Sequence, residues 1–169
     1  MYAYSAYPYD ETIRSIVHNF KYNSAYKLSK WMAQEQAKTL EKYNVEFDLI
    51  VPVPIHFARR LQRGYNQSEK LSNELSLITG IEYSEALTKI RHTKKQSRLD
   101  AEARRKSLIG AFGLKKDVKG RRILLVDDVI TTGSTMIECV HTLMQGGCAS
   151  VALSTFAITE TDDSSIKKS

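Results

Sequence analysis

The chain has 169 residues, 42% hydrophobic and 26% charged, with 25 Lys and Arg against 19 Asp and Glu. That length supports one domain with its own core, and the composition excludes disordered and collagen-like chains. No apolar run reaches the length of a membrane span and no basic-then-apolar leader opens the chain, so the expectation is cytoplasmic residence with no membrane partner.

Residues 2–9 alternate aromatic and small side chains, Tyr2-Ala3-Tyr4-Ser5-Ala6-Tyr7-Pro8-Tyr9. The pattern predicts a short extended piece broken at Pro8, its tyrosines covering an edge of the core rather than stacking on bases. Asp10 is placed to cap a helix with Ile13, Ile16, Val17 and Phe20 on one face. Residues 25–43 repeat the helical spacing through Leu28, Trp31, Met32, Gln36 and Leu40. His18 adjoins the first apolar stripe and reads as a packed structural histidine. Asp48–Pro54 predicts a buried strand stopped by its prolines. The polar loop 55–64 then carries Arg59, Arg60 and Arg63 ahead of a helix at Gln67–Thr79. Forked guanidinium donors at such a loop suit a pyrophosphate, the bland alternative being a solvated basic loop.

Tyr83–Ile90 predicts a further strand. The charge excess of +6 lies in residues 89–106, where Lys89, Arg91, Lys94, Lys95, Arg98, Arg104, Arg105 and Lys106 face only Asp100 and Glu102. One basic segment on an otherwise neutral chain points to a bound polyanion. With Leu99 as its main apolar residue, 91–105 reads as a mobile loop entering a short helix at 101–106. Leu108–Phe112 is expected to return to the sheet, and Lys119-Gly120 to turn the chain into the next strand. Further on, Gly146-Gly147 ends a helix, Ala149–Ile158 supplies a last strand, and 159–169 reads as a polar tail outside the single domain of 1–158. Cys139 and Cys148 are the only cysteines and form no C-x-x-C pair. A cysteine zinc site is therefore excluded, and both read as small buried hydrophobes.

The most informative stretch is Ile123-Leu124-Leu125-Val126-Asp127-Asp128-Val129-Ile130-Thr131-Thr132-Gly133-Ser134-Thr135. Four apolar residues in a row predict a strand buried on both faces, as in a parallel sheet covered by helices. Two carboxylates, a hydroxyl-rich turn around one glycine and a helical pattern follow. Ligands collect where strands of such a sheet end. Backbone N–H groups and the hydroxyls of Thr131, Thr132, Ser134 and Thr135 can hold a phosphate at the helix start, with Gly133 allowing close approach. Asp127 and Asp128 would repel a phosphate, and suit ribose hydroxyls or a magnesium ion. The ligand this fits is a phosphorylated sugar.

These thirteen residues closely resemble the binding motif for phosphoribosyl pyrophosphate (PRPP) in type I phosphoribosyltransferases. Together with Val51-Pro52-Val53-Pro54, Arg63-Gly64-Tyr65-Asn66-Gln67, the spaced Arg91, Thr93, Gln96, Leu99 and Arg104, and Gly110-Ala111-Phe112, they resemble the ComF family of competence-related phosphoribosyltransferase-like proteins. The resemblance implies an α/β fold of the type I phosphoribosyltransferase kind: a central, mostly parallel sheet flanked by helices, with a small hood. It implies PRPP bound with magnesium. Asp127 and Asp128 would take the ribose hydroxyls and the ion, the latter indirectly, and Thr131, Thr132, Gly133, Ser134 and Thr135 the 5′-phosphate. The pyrophosphate would meet Arg59 and Arg60, with Lys94, Lys95 and Arg98 supplied by a closing loop. Members of that family usually begin with a four-cysteine zinc segment; this chain starts without one, as a truncated form or a shorter relative would, and no zinc is expected in it. Ser107 stands where asparagine is expected.

The reaction implied is transfer of the phosphoribosyl group to an acceptor with release of pyrophosphate, through an oxocarbenium-like transition state. Asp127, Asp128, Arg59, Lys94 and Arg98 are its candidate catalytic residues. No residue stands out as a base for the acceptor. A rival of another class is a PRPP- or nucleotide-sensing protein that binds single-stranded DNA, or a protein of the competence machinery, without turnover. A homodimer is the other association left open.

Overall fold

The computed structural model describes residues 2–22, 27–55, 60–61, 64–91, 107–159 and 167–168. The predicted short helix at 101–106, most of the basic stretch and most of the tail lie outside them. A five-stranded parallel sheet runs in the order β2-β5-β6-β1-β7. Its strands are β1 (Tyr2–Pro8), β2 (Leu49–Pro52), β5 (Arg122–Ile130), β6 (Ser150–Ile158) and β7 (Lys167–Lys168). Helices α1 (Glu11–Tyr22), α2 (Lys27–Lys42) and α3 (Gln67–Thr79) cover one face, and α4 (Ser134–Gln145) the other. Strands β3 (Leu87–Lys89) and β4 (Phe112–Leu114) pair antiparallel as a separate hood.

The apolar run of β5 explains its interior position, between β2 and β6. Side chains alternate between faces along a strand, so Ile123 and Leu125 join the core under α4 with Met136, Cys139 and Leu143. Leu124 and Val126 join Val17, Phe20, Met32 and Leu71 under α1–α3. A strand buried on both faces must be apolar at every position, which is the pattern that predicts it.

The first residues are more deeply built in than their alternation suggests. β1 pairs in parallel with β6, Ala3 opposite Leu153 and Pro8 opposite Ile158. Pro8 is tolerated because its missing N–H falls at the end of the pairing. Tyr7 stacks on Trp31 at 6.2 Å and meets Phe156 at 5.2 Å, so these aromatics belong to the core's flank, as expected. Asp10 Oδ1 accepts the N–H of Ile13 at 2.8 Å, the predicted cap of α1. His18 lies exposed on α1, on the solvent side of the stripe rather than packed.

Two expectations are corrected. Leu108–Phe112 does not rejoin the central sheet: Gly110 takes a left-handed φ of 65°, turning the chain so that the strand starts at Phe112 and pairs with the hood. Tyr83–Ile90 is not one strand. Its start lies along the outer edge of β2, with Ile50 N donating to Glu82 O and Ser84 N to Ile50 O; only Leu87–Lys89 is hood strand. This isolated parallel bridge, Ile50 opposite Tyr83, covers part of an otherwise open strand edge. Within the stretch read as a tail, Lys167–Lys168 pair with Tyr2–Ala3. Both cysteines are buried. No helix among the described residues is long and apolar enough to cross a membrane.

Candidate functional site

β5 ends and α4 begins around a small pocket lined by Asp127 and by every residue from Val129 to Met136. Its volume is about 50 Å³, above the roughly 10–15 Å³ that a single water needs. Gly133, directly before α4, has φ 72° and ψ −13°. The left-handed turn is the reason for a glycine there: a side chain would be strained in it. The close approach read from the sequence is a separate benefit of the same residue. Gly133 offers no side-chain cap, and the first-turn residues Ser134, Thr135 and Met136, whose N–H groups have no intrahelical carbonyl to bond, line the pocket at the positive end of the helix dipole. Thr132 Oγ1 and Ser134 Oγ lie 3.2 Å apart, a hydroxyl pair on the same turn.

The turn is anchored from β6. Thr159, just past that strand, donates its hydroxyl to Thr131 O at 2.9 Å and its N–H to Ile130 O at 2.9 Å. From the hood, Gly110 N donates to Glu138 Oε1 at 2.7 Å, which ties the hood to α4 one turn beyond the pocket.

The two acids are not equivalent. Neighbours on a strand point to opposite faces; Asp127 lines the pocket, whereas Asp128 is 6% exposed and is not among the lining residues. Asp127 Oδ1 accepts two hydrogen bonds, from Ser68 Oγ at 2.6 Å and from Asp128 N at 2.9 Å. Beneath it, the buried Gln36 of α2 donates to Ser154 Oγ at 3.3 Å. The same region reaches Cys139, whose thiol is pushed well up first by burial and then by the Asp127 carboxylate; it is inert at neutral pH.

Of the expected pyrophosphate cations, Arg60 is half exposed and paired with Glu69 Oε1 at 3.0 Å. The Glu69 carboxyl is raised, by burial first, with the Asn66 hydrogen bond opposing. Arg59, Lys94, Lys95 and Arg98 lie outside the described residues. No group of three or more His, Cys, Asp or Glu able to hold a metal occurs among the described residues. Ser68, Gln36 and Thr159 are supports the sequence reading missed. The one local signal was Asn66 three residues ahead of Glu69, a helix-start pattern that places Ser68 in the first turn of α3.

Residues 25–168 match the phosphoribosyl transferase domain family. The chain is 35% identical to the DNA utilization protein YhgH of Escherichia coli strain K12, over 85% of this chain and 66% of that protein. It is 34% identical to competence protein F of Haemophilus influenzae, over 82% of this chain and 65% of that one. Its span is thus about half to two thirds of the length of the curated relatives it matches. Among solved structures it is similar to the glutamine PRPP amidotransferase of B. subtilis, at a TM-score of 0.50 and 24% identity, over 77% of this chain and 25% of that one. The likeness in structure is one of fold. The chain belongs to the ComF family of the type I phosphoribosyltransferase superfamily.

Proposed function

We propose that this chain binds PRPP with magnesium and transfers its phosphoribosyl group to an acceptor, releasing pyrophosphate, in a process connected with the use of DNA. The observation that carries the proposal is the small polar pocket at the start of α4, where no side chain caps the helix, lined by Asp127, Thr131, Thr132, Gly133, Ser134 and Thr135. A 5′-phosphate there gains backbone N–H groups, hydroxyls and the helix dipole together. Asp127 accepts hydrogen bonds from ribose hydroxyls, and its charge favours a sugar that develops positive character at the anomeric carbon. Holding phosphate and ribose at once fixes the anomeric carbon for in-line attack.

Of the two expected magnesium carboxylates, Asp127 lines the pocket and would hold an ion bound mainly by the ligand's own oxygens and water, while Asp128, buried on the other face of β5, is not placed to share it. Held there, such an ion would supply charge to offset that of the departing pyrophosphate. Arg59, Arg60, Lys94, Lys95 and Arg98 remain the proposed cations for the same charge, Arg60 after leaving Glu69. The names of the relatives, DNA utilization protein and competence protein, support the connection with DNA.

Calorimetric titration of magnesium-PRPP tests the proposal. Micromolar binding, about 8 kcal/mol, lost in Asp127→Ala/Asp128→Ala, is the expected result. No binding by the unaltered chain overturns it. A second reading, binding of single-stranded DNA without turnover, is favoured by the excess positive charge of residues 89–106. A steep salt dependence of DNA binding without PRPP consumption distinguishes it.

A further inference from the structure

The Asn66-Gln67-Ser68 run has no role in holding phosphate, yet all three side chains are buried, at 1%, 2% and 2% exposure. Polar side chains are buried where they make specific hydrogen bonds. Asn66 makes them to a neighbouring strand: its Nδ2 donates to Val53 O at 3.1 Å, just past the end of β2, while its Oδ1 accepts Ser68 N at 3.2 Å. The first turn of α3 is therefore pinned to the chain leaving β2, next to β5 in the sheet. From that turn Ser68 Oγ reaches Asp127 Oδ1 at 2.6 Å, across 59 residues of sequence. The distance is that of a charge-assisted hydroxyl–carboxylate bond.

Given PRPP as the ligand, we infer that Ser68 is a positioning residue: it sets the plane of the Asp127 carboxylate against the ribose and does not itself line the pocket. A carboxylate on a single Cβ rotates about two bonds. The Asp128 N–H at 2.9 Å constrains it from its own strand, and a second donor arriving from α3 removes the remaining freedom. Asn66 holds that donor in place, so the Asn66–Ser68 segment and the Asp127-Asp128 pair form one device split across two elements. Its consequence is selective. Ligands bearing a ribose should depend on Ser68, and inorganic phosphate should not.

Crystal structures of the unliganded full chain with Ser68→Ala and with Ser68→Thr provide the first test. In Ser68→Ala the Asp127 carboxylate is expected to rotate or split into conformers, and Ser68→Thr, which keeps the hydroxyl, is expected to restore it. An Asp127 carboxylate left in place by Ser68→Ala overturns the inference. Titrations of magnesium-PRPP, ribose 5-phosphate and inorganic phosphate read the consequence. Ser68→Ala should weaken the two ribose ligands about tenfold, change inorganic phosphate by less than about twofold, and recover in Ser68→Thr. An equal loss for all three ligands marks a general disturbance and also overturns it. If the unaltered chain binds no PRPP, the proposed function falls, and the crystal structures alone still decide the role of Ser68.

Discussion

Gly133 shows how a single residue answers to the backbone and, under the proposed function, to a ligand as well. Its φ of 72° lies where an L side chain costs about 1–2 kcal/mol, and α4 starts on the next residue. Gly133→Ala should therefore lower stability by about that amount in urea denaturation. It should also weaken magnesium-PRPP by more than its stability loss suggests, because the strained turn relaxes by moving the N–H groups of Ser134 and Thr135. Unchanged stability would mean the turn adopts another conformation at no cost. The glycine was legible in the sequence, since its neighbours are hydroxyl residues at a strand-to-helix junction. Its left-handed backbone was not, because close approach and positive φ both select glycine and leave the same letter.

At the scale of elements, what could be read was what local pattern determines. The four apolar residues of β5 and the spacing of α1 and α2 each report their own surroundings, and they fold as expected. Contacts between elements leave weaker marks. Ser68 looks like an ordinary first-turn residue, and its bond to Asp127 exists because β2, β5 and α3 converge at one end of the sheet. Arg60 looks like a phosphate cation and is paired with Glu69, a partner nine residues on that no periodicity selects. A small hood was implied by the resemblance, but its strands escaped for a related reason: β3 and β4 have three residues each, too few for alternation to define a strand. The start of α3 can be tested as an element. Asn66→Ala removes its N-cap and the tie to Val53 O together, and should cost about 1–2 kcal/mol. For a chain of this size that lowers Tm by about 2–4 °C per kcal/mol, measurable by calorimetry. A Tm within about 1 °C of the parent would show that water replaces the cap.

Across the whole molecule, the pocket and the main ion-pair network lie at separate ends of the sheet. At the opposite end of β2 and β5 from the pocket, Asp48 receives Arg121 Nε at 2.9 Å and Arg122 Nε at 3.2 Å. Arg122 also reaches Glu46 at 2.7 Å, and Arg121 reaches Glu82 at 3.0 Å. Burial alone would raise the Asp48 carboxyl, and the hydrogen bonds from both arginines outweigh it and hold it below its usual range. A carboxylate depressed on folding contributes stability above its unfolded pKa, about 3.9, and that contribution disappears as pH falls through the lower folded value. With the side chains of Asp48 and Arg121 38% and 37% exposed, solvent screens the network and its worth is about 1 kcal/mol at most. Asp48→Asn should accordingly be less stable than the parent at neutral pH, by urea midpoint, and the gap should close only below about pH 3.9. Salt should narrow it as well, since partly exposed pairs are screened. Magnesium-PRPP affinity, measured at neutral pH and below the denaturation range, should stay within about twofold of the parent, because no residue of this network lines the pocket. A gap independent of pH would rule out the ion pairs as the source of stability. A fall in affinity would show that the two ends of β5 are coupled through the strand they share.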